Sequence, residues 1–447
     1  MSSAPRPVPL PDGRFAVPAN RWDLLDDMPS RPARVGVVVP HYEQPERLAL
    51  VLRALELQDH PAELIDVVVA DDGSATPPEV TSSTLRVTVV RQDDQGFRAA
   101  AARNLGAAAT SAELLCFLDA DTVPEPGYLR HVTRLPSLVP DAVSVGRRRH
   151  ADLTGWTPDM LADWWAGRSS PPILSEPDWL VEAYRDSHDL LAADYRSYRY
   201  VISAVMCCSH ALFDEVGGFD ESFHEYGGED WEFAHRAMVG GAVVQHARDA
   251  VAWHDGPDWG DRDVSERATA KNREALAMAR LIPDPVARRA GLRYGIPRVC
   301  VRIDTDAHGA GSLVATMGCL LHEDVGIWLC GATAATLLEL LGIDDPRVHV
   351  GPVPDAIARR CQLRVETTGR PVLPRASFTE LLRRCSAPEV GRVQTTGAAA
   401  DLVVEANWAL HRCRRWSIEV ADVATVLTAP ADEVGLVAAD PDADLSW

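Results

Sequence analysis

The sequence predicts an α/β protein built on a mostly parallel sheet with helices on both faces, followed by a second, smaller α/β domain. Three observations predict it. Continuous Val and Leu runs alternate with helical stretches from about residue 34 onward, as strands buried on both faces require. The same strand–helix–strand order restarts near residue 290, after an apparent linker at Asp284-Pro285. Finally, 447 residues of 46% hydrophobic content supply material for more than one core.

Taken in order, residues 1–32 are rich in Pro, Asp and Arg without a sustained period and read as an irregular N-terminal arm. Strands are expected at Val35–Val39, Ile65–Ala70, Arg86–Arg91 and Leu114–Leu118, with helices at Glu46–Leu57 and Ala99–Ala109. Residues 150–200 carry Trp156, Trp164, Trp165 and Trp179 among Pro, Ser and Asp, and read as a long insertion of short helices and loops. An apolar segment, Val201–Phe213, leads to a Gly217-Gly218 turn and then to an amphipathic helix from Trp231 to Met238. These elements define a catalytic domain over residues 33–285. Strand Val299–Ile303, helix Leu313–Leu321 and strand Val325–Leu329 then open a second domain over 290–430, with an acidic C-terminal tail at 431–447.

Charge narrows the partners. A formal net charge of -21 repels phosphate backbones and anionic lipid over the molecule as a whole, which argues against nucleic acid. No apolar run reaches the roughly 18 to 20 residues that a membrane span needs, so no transmembrane segment is expected. The nine cysteines form no CxxC pair and fit reduced thiols. A cytoplasmic protein follows, at most peripheral to the inner face of a membrane.

In a parallel sheet, ligands collect beyond the carboxyl ends of the strands. There the sequence places Pro40-His41-Tyr42, Asp71-Asp72-Gly73-Ser74 and Asp119-Ala120-Asp121. Two carboxylates one residue apart after a buried strand can face a hard divalent cation and leave positions for diphosphate oxygens, although the triplet alone also suits a solvated turn. Asp72 can accept a hydrogen bond from a base or ribose, while Asp71 equally suits a turn or helix cap. Glu229 and Asp230 follow Gly227-Gly228 at a helix start, where the macrodipole favours ionised carboxylates; Asp230 is the candidate base for an acceptor hydroxyl, and capping is the alternative for Glu229. His254, at a strand end in Trp253-His254-Asp255-Gly256, can complete a mixed carboxylate–imidazole metal site suited to Mn2+ or Mg2+.

Six runs in order, VVVPHYEQPERL, VVVADDGS, GFRAAAARNLGAAA, LLCFLDADTVPEPGYL, GGFDESFHEYGGEDWEFAHRA and AWHDG, resemble the glycosyltransferase family 2 GT-A fold, a Rossmann-like α/β architecture. They are most similar to bacterial hyaluronan and chondroitin synthases that carry two such domains in one chain. The resemblance implies an inverting transfer from a UDP-sugar. Pro40, Tyr42 and Asp72 would hold the nucleoside, and Arg103 would shape the donor pocket with Arg98 as a weaker candidate. Asp119 and Asp121 would face the metal and diphosphate, His254 would be the third protein ligand, Asp230 the base, and Glu229 its neighbour on sugar or acceptor. Arg147, Arg148 and Arg149 suit either a diphosphate or acidic-sugar contact or a solvated face, and among the tryptophans Trp231, beside the base, is the one singled out for sugar stacking.

The departure from those synthases is in the second half. It keeps the apparent frame but has Cys330-Gly331-Ala332 in place of the Asp-Asp-Gly run and no DxD, which implies transfer of a single sugar type. The second domain is then a degenerate, non-catalytic GT-A-like copy serving dimerisation, acceptor recognition or docking of an assembly partner. A sugar-phosphate nucleotidyltransferase would need a Gly-rich loop after the first strand, which Pro40–Arg47 lacks. The other alternative is a non-catalytic sugar-nucleotide-binding or scaffold protein of a glycan-assembly complex.

Overall fold

The computed structural model describes residues 5–224, 227–257, 264–289, 291–397 and 399–445. Glu225 and Tyr226, inside the motif before the candidate base, lie outside the described residues, as does Asp258. The chain divides into two compact units, residues 1–238 with 242–276, and residues 239–241 with 277–447.

In the first unit, β1 (Val35–His41), β2 (Ile65–Asp71), β3 (Arg86–Arg91) and β4 (Leu114–Leu118) run parallel in the order β3-β2-β1-β4. Helices α1 (Pro45–Glu56) and α2 (Ala99–Ala108) make two of the crossovers. Beyond β4 come β5 (Thr122–Pro124), β6 (Ala142–Ala151), α3 (Pro158–Trp165), α4 (Asp178–Asp186), β7 (Val205–Ser209), α5 (His210–Val216), α6 (Glu229–Val239) and β8 (Val243–Asp255). The sheet continues β4-β7-β6-β8-β5, with β7 antiparallel to both neighbours and β8 parallel to β6. Strands β2, β4 and β7 are buried along their whole length, which explains why their sequences read as apolar runs rather than alternations.

Close packing of α2 on the sheet depends on Gly106. A Cβ there would lie 2.4 Å from Val38 Cγ1, so only glycine lets the helix approach this near. The arm is more ordered than its composition predicts. Val8–Pro9 pairs with Phe15–Ala16, and Val17 and Leu25 are buried against Leu135, Leu138 and Val243.

The second unit repeats this plan. Its elements are β9 (Val299–Asp304), α7 (Ala310–Leu320), β10 (Val325–Cys330), α8 (Ala334–Leu341), β11 (Val348–Val350), α9 (Asp355–Ala358), β12 (Leu363–Thr368) and β13 (Pro371–Val372). They continue with α10 (Arg375–Cys385), β14 (Val390–Thr396), β15 (Asp401–Ala406), α11 (Asn407–Trp416), α12 (Val420–Val423), β16 (Thr425–Pro430) and β17 (Val437–Ala438). The order β11-β10-β9-β12-β15-β14-β16 matches β3-β2-β1-β4-β7-β6-β8 strand for strand, including which neighbours are antiparallel. Even the small pair recurs, since β13 lies antiparallel to β17 as β5 does to the end of β8. The residues read as an acidic tail therefore begin as a short helix, Ala431–Val434, and a strand, because β13 offers an edge to pair with.

The registers align the two copies residue by residue. Leu114 and Leu363 open β4 and β12 opposite Val35 and Val299. Counting on, Thr368 and Arg370 stand where Asp119 and Asp121 stand. Ala438, opposite Pro371, stands where His254 stands opposite Thr122. Arg370 donates to the carbonyls of Ala439 and Ala307 and so ties this edge shut by its own side chain. Two helices have also shrunk: α9 replaces α2, and α12 replaces α6, each with four residues.

Candidate active site

A cleft of about 1170 Å3 opens at the carboxyl edge of the first sheet, and Pro40, Tyr42, Asp72, Arg103, Asp119, Asp121, Glu229 and Asp230 all line it. Residues far apart in sequence meet there because β1, β2 and β4 end side by side, while the first residues of α6 line the same cleft.

At the base of the cleft, Arg103 on α2 is 4% exposed. Its guanidinium donates to Asp119 Oδ1 at 2.8 Å and to Glu229 Oε1 at 3.0 Å, joining the strand-end carboxylates to the start of α6. Burial alone would push this guanidinium down, but Asp119 and Glu229 outweigh it and hold the cation. The sequence assigns Arg103 to the donor pocket; the structure makes it a bridge between two motifs. Glu229 Oε2 is buried without a hydrogen-bond partner while its residue faces the cleft, an unmet acceptor that suits a ligand hydroxyl.

Asp230 sits beside this bridge. Burial, then the neighbouring Glu229 charge, pushes its carboxyl up to about 7, with Arg103 and the Trp231 N–H acting in the opposite sense. The Trp231 N–H donates to Asp230 Oδ1 at 2.8 Å. A carboxyl that ionises near neutrality is matched to general-base work.

Asp121 and His254 form the second cluster. Strand β8 breaks register between Ala247 and Val251, and its last residues then run beside β5, with Asp255 N–H donating to the Asp121 carbonyl. This places His254 Nε2 3.6 Å from Asp121 Oδ2. His254 Nδ1 is 3.2 Å from the Gly256 carbonyl, which can only accept, so Nδ1 carries the proton and Nε2 is left facing a carboxylate. Either a proton on Nε2 or a metal ion satisfies the Asp121 carboxylate opposite it, and an imidazole whose other N–H is held by a carbonyl is the usual metal-binding arrangement. The donor set fits a divalent ion. Asp119, however, turns to Arg103, and among the described residues no three His, Cys, Asp or Glu side chains converge on one point. The structure brings two of the three predicted ligands together and leaves the third on the bridge.

The nucleoside side is mixed. Tyr42 is 47% exposed and available to a flat ligand. Asp72 is already engaged, accepting from the Gln92 side chain and from Arg98 N–H at 2.9 Å. Arg98 thus contributes its backbone. Asp71 is withdrawn from the cleft into a buried network with His41, Ser74 and Arg91 that fastens the ends of β1, β2 and β3.

Alternation along β6 separates the three arginines. Arg147 and Arg149 pair with Glu176, whereas Arg148 lines the cleft. Trp156, Trp164, Trp165 and Trp253 pack on one another, and Trp179, Tyr200 and Trp231 reach the cleft wall. Sequence reasoning missed Phe97, Arg199 and Tyr200 on that wall, and Arg47, which pairs with Asp255 at 2.8 Å. Arg199 and Tyr200 lie in the insertion, which has no period to mark an inward face; the exposed aromatic Phe97 after Gly96 was the one available signal.

Residues 36–179, from β1 to the start of α4, match the family model described as glycosyl transferase family 2. Over these residues the chain is similar to family 2 glycosyltransferases. Residues 189–250 match a second model, described as the N-terminal domain of galactosyltransferase, which takes in Glu229 and Asp230. The α/β sheet of the first unit is the GT-A fold expected from the sequence. The chain is 27% identical over 296 residues to a chondroitin synthase of Escherichia coli, covering 62% of this chain and 43% of that one. It is 29% identical over 255 residues to a validoxylamine A glucosyltransferase of Streptomyces hygroscopicus subsp. jinggangensis, covering 55% of this chain and 58% of the other. It therefore spans less than two thirds of either relative. Among solved structures, a mannosyltransferase from Pyrobaculum calidifontis in complex with GDP-Man and Mn2+ is 19% identical with a TM-score of 0.39, over 60% of this chain and 72% of that chain. Among the described residues no helix is long and apolar enough to cross a membrane.

Proposed function

We propose that the protein is an inverting glycosyltransferase that moves a sugar from a UDP-sugar to an acceptor hydroxyl in polysaccharide or glycoconjugate synthesis. The observation that carries this is the Arg103 bridge, which joins Asp119 to the start of α6 in the cleft that Asp121 and a near-neutral carboxyl, Asp230, also line, with His254 beside Asp121. Pro40, Tyr42 and Asp72 hold the nucleoside, and Glu229 takes a hydrogen bond from a sugar hydroxyl on its unmet oxygen. Asp230 accepts the acceptor's hydroxyl proton as that oxygen bonds to the anomeric carbon. The bond from that carbon to the phosphate oxygen breaks on the opposite face, its electron pair leaves with UDP, and the configuration inverts. Asp121 and His254, with Asp119 alongside, would hold Mn2+ or Mg2+, which when bound supplies positive charge to stabilise the departing diphosphate.

The relatives named above transfer sugars in chondroitin and validoxylamine A glucoside formation, so both a glycan and a small hydroxylated molecule are acceptors of the right class. We place the reaction in the cytoplasm, a reading supported by cysteines that all stand as free thiols. The second unit, with Thr368, Arg370 and Ala438 at the metal positions, serves a non-catalytic role in this reading, as a dimer, acceptor or partner surface. The deciding experiment offers a panel of UDP-sugars with Mn2+ and follows release of UDP with and without acceptors. Slow hydrolysis of one donor is expected. Binding of UDP without turnover of any donor would favour the scaffold alternative, and no thermal response to UDP plus Mn2+ would remove the donor assignment.

A further inference from the structure

The shrinkage of one helix in the second unit has a consequence on the sheet beneath it. In the first unit, α2 packs over β1, β2 and β3, and Gly36, Val38, Leu115 and Phe117 share the sheet face that Gly106 of α2 approaches at Val38. By register, their counterparts are Cys300, Arg302, Arg364 and Glu366. Four-residue α9 cannot cover that face, and a cavity of about 520 Å3 stands there. Its floor is Arg302, Arg364 and Glu366, and its apolar wall is Leu329, Val350 and Val353. It opens beyond the carboxyl ends of β10 and β11, where parallel sheets receive ligands, and its size is that of a small-molecule site.

The charges on its floor do not cancel. Arg302 pairs with Glu366 at 3.0 Å. Arg364 donates to the Ala358 carbonyl at 3.4 Å and lies against the Cys361 sulfur, and among the described residues no carboxylate forms an ion pair with it, Glu405 opposite it on β15 being paired with Arg392. In a chain of net charge -21, the side chains that line this cavity carry two guanidiniums to one carboxylate, with Asp304 and Asp306 beside Gly331 at its rim. Guanidinium forks recognise phosphate and carboxylate oxygens through paired N–H donors. We propose that this cavity is a binding site for a small anion, a phosphate or carboxylate carried on an apolar body, with Arg364 as its anchor and Arg302 as the second donor. The site is independent of the cleft in the first unit, and its occupancy does not depend on glycosyl transfer.

The test is calorimetric titration of the full chain, in chelator to remove divalent cations from the first cleft, with phenyl phosphate, benzoate and phenol. Binding of phenyl phosphate or benzoate, with phenol at least tenfold weaker, is expected; the stronger of the two anions identifies the group. Arg364→Gln should weaken that anion by about tenfold or more, the scale of a lost charge-assisted contact. Glu366→Gln should tighten it severalfold, because it frees Arg302 and removes a like charge; a variant that had merely lost its fold could not gain affinity. Equal binding of phenol and the anions, absence of anion binding to the wild type at 10 mM, or affinities indifferent to both substitutions would overturn the assignment.

Discussion

Replacing Asp230 by Asn separates what the cleft does from what it costs the fold. The Asp230 carboxyl ionises at about 7 in the folded chain, against 3.8 for an ordinary aspartate, chiefly because burial disfavours its charge. A group whose folded value lies above its unfolded one binds its proton more tightly when folded. Its stabilising contribution is therefore complete below about pH 3.8 and is lost as the pH rises through about 7. At about 1.4 kcal/mol per tenfold change in proton affinity, the ionised carboxylate costs the first unit up to about 4 kcal/mol at pH 8. Asparagine has the same shape and no charge, so it should remove most of that cost. The variant is expected to unfold roughly 4 to 10 °C higher than wild type at pH 8, a gap that closes as the pH falls toward 4. Transfer should fall by about 10² to 10⁴, and wild-type transfer should itself rise with pH through about 7. Scanning calorimetry across this pH range and acceptor-dependent UDP release measure the two effects. A variant less stable than wild type at pH 8, or one that keeps transfer within tenfold, would refute the reasoning.

Three further outcomes follow from the same geometry. Arg103→Gln leaves Asp119 and Glu229 without their shared cation and removes an influence that lowers the Asp230 carboxyl, so the acid limb of the pH–rate profile should move to higher pH; an unmoved limb would contradict the bridge. His254→Ala should abolish the rise in unfolding temperature caused by Mn2+ with UDP, while leaving the metal-free unfolding temperature within a few degrees, since its ring is partly exposed at a strand end. Gly106→Ala drives a methyl into Val38 and should cost about 1 to 3 kcal/mol of stability by denaturant titration, with a loss of transfer as α2 carries Arg103 away from Asp119; a neutral result would mean that α2 can lift without moving the site.

Much of the first unit is legible in its sequence because its strands are buried on both faces. Runs such as Val67-Val68-Val69 and Leu114-Leu115 have no other common explanation, and the polar residues that follow them mark one edge of the sheet. The second unit is harder to read. Arg302, Arg364 and Glu366 interrupt its strands, because one face lacks the helix that would bury it. Its likeness to the first unit shows in strand order and register, which are properties of hydrogen bonding rather than of side chains.

By itself, then, the sequence determined the class of sheet, the carboxyl-edge position of Asp72, Asp119 and Asp121, and the helix start that carries Glu229 and Asp230. These depend on local periodicity and on what stands next to what along the chain. Only the tertiary structure decided that Arg103 joins Asp119 to Glu229, that Asp119 thereby turns away from His254, and that Asp71 serves the sheet rather than the cleft. Such choices are competitions for one guanidinium or one carboxylate among partners that lie anywhere from 3 to 126 residues away along the chain. They are settled by distance and burial, which no local pattern encodes.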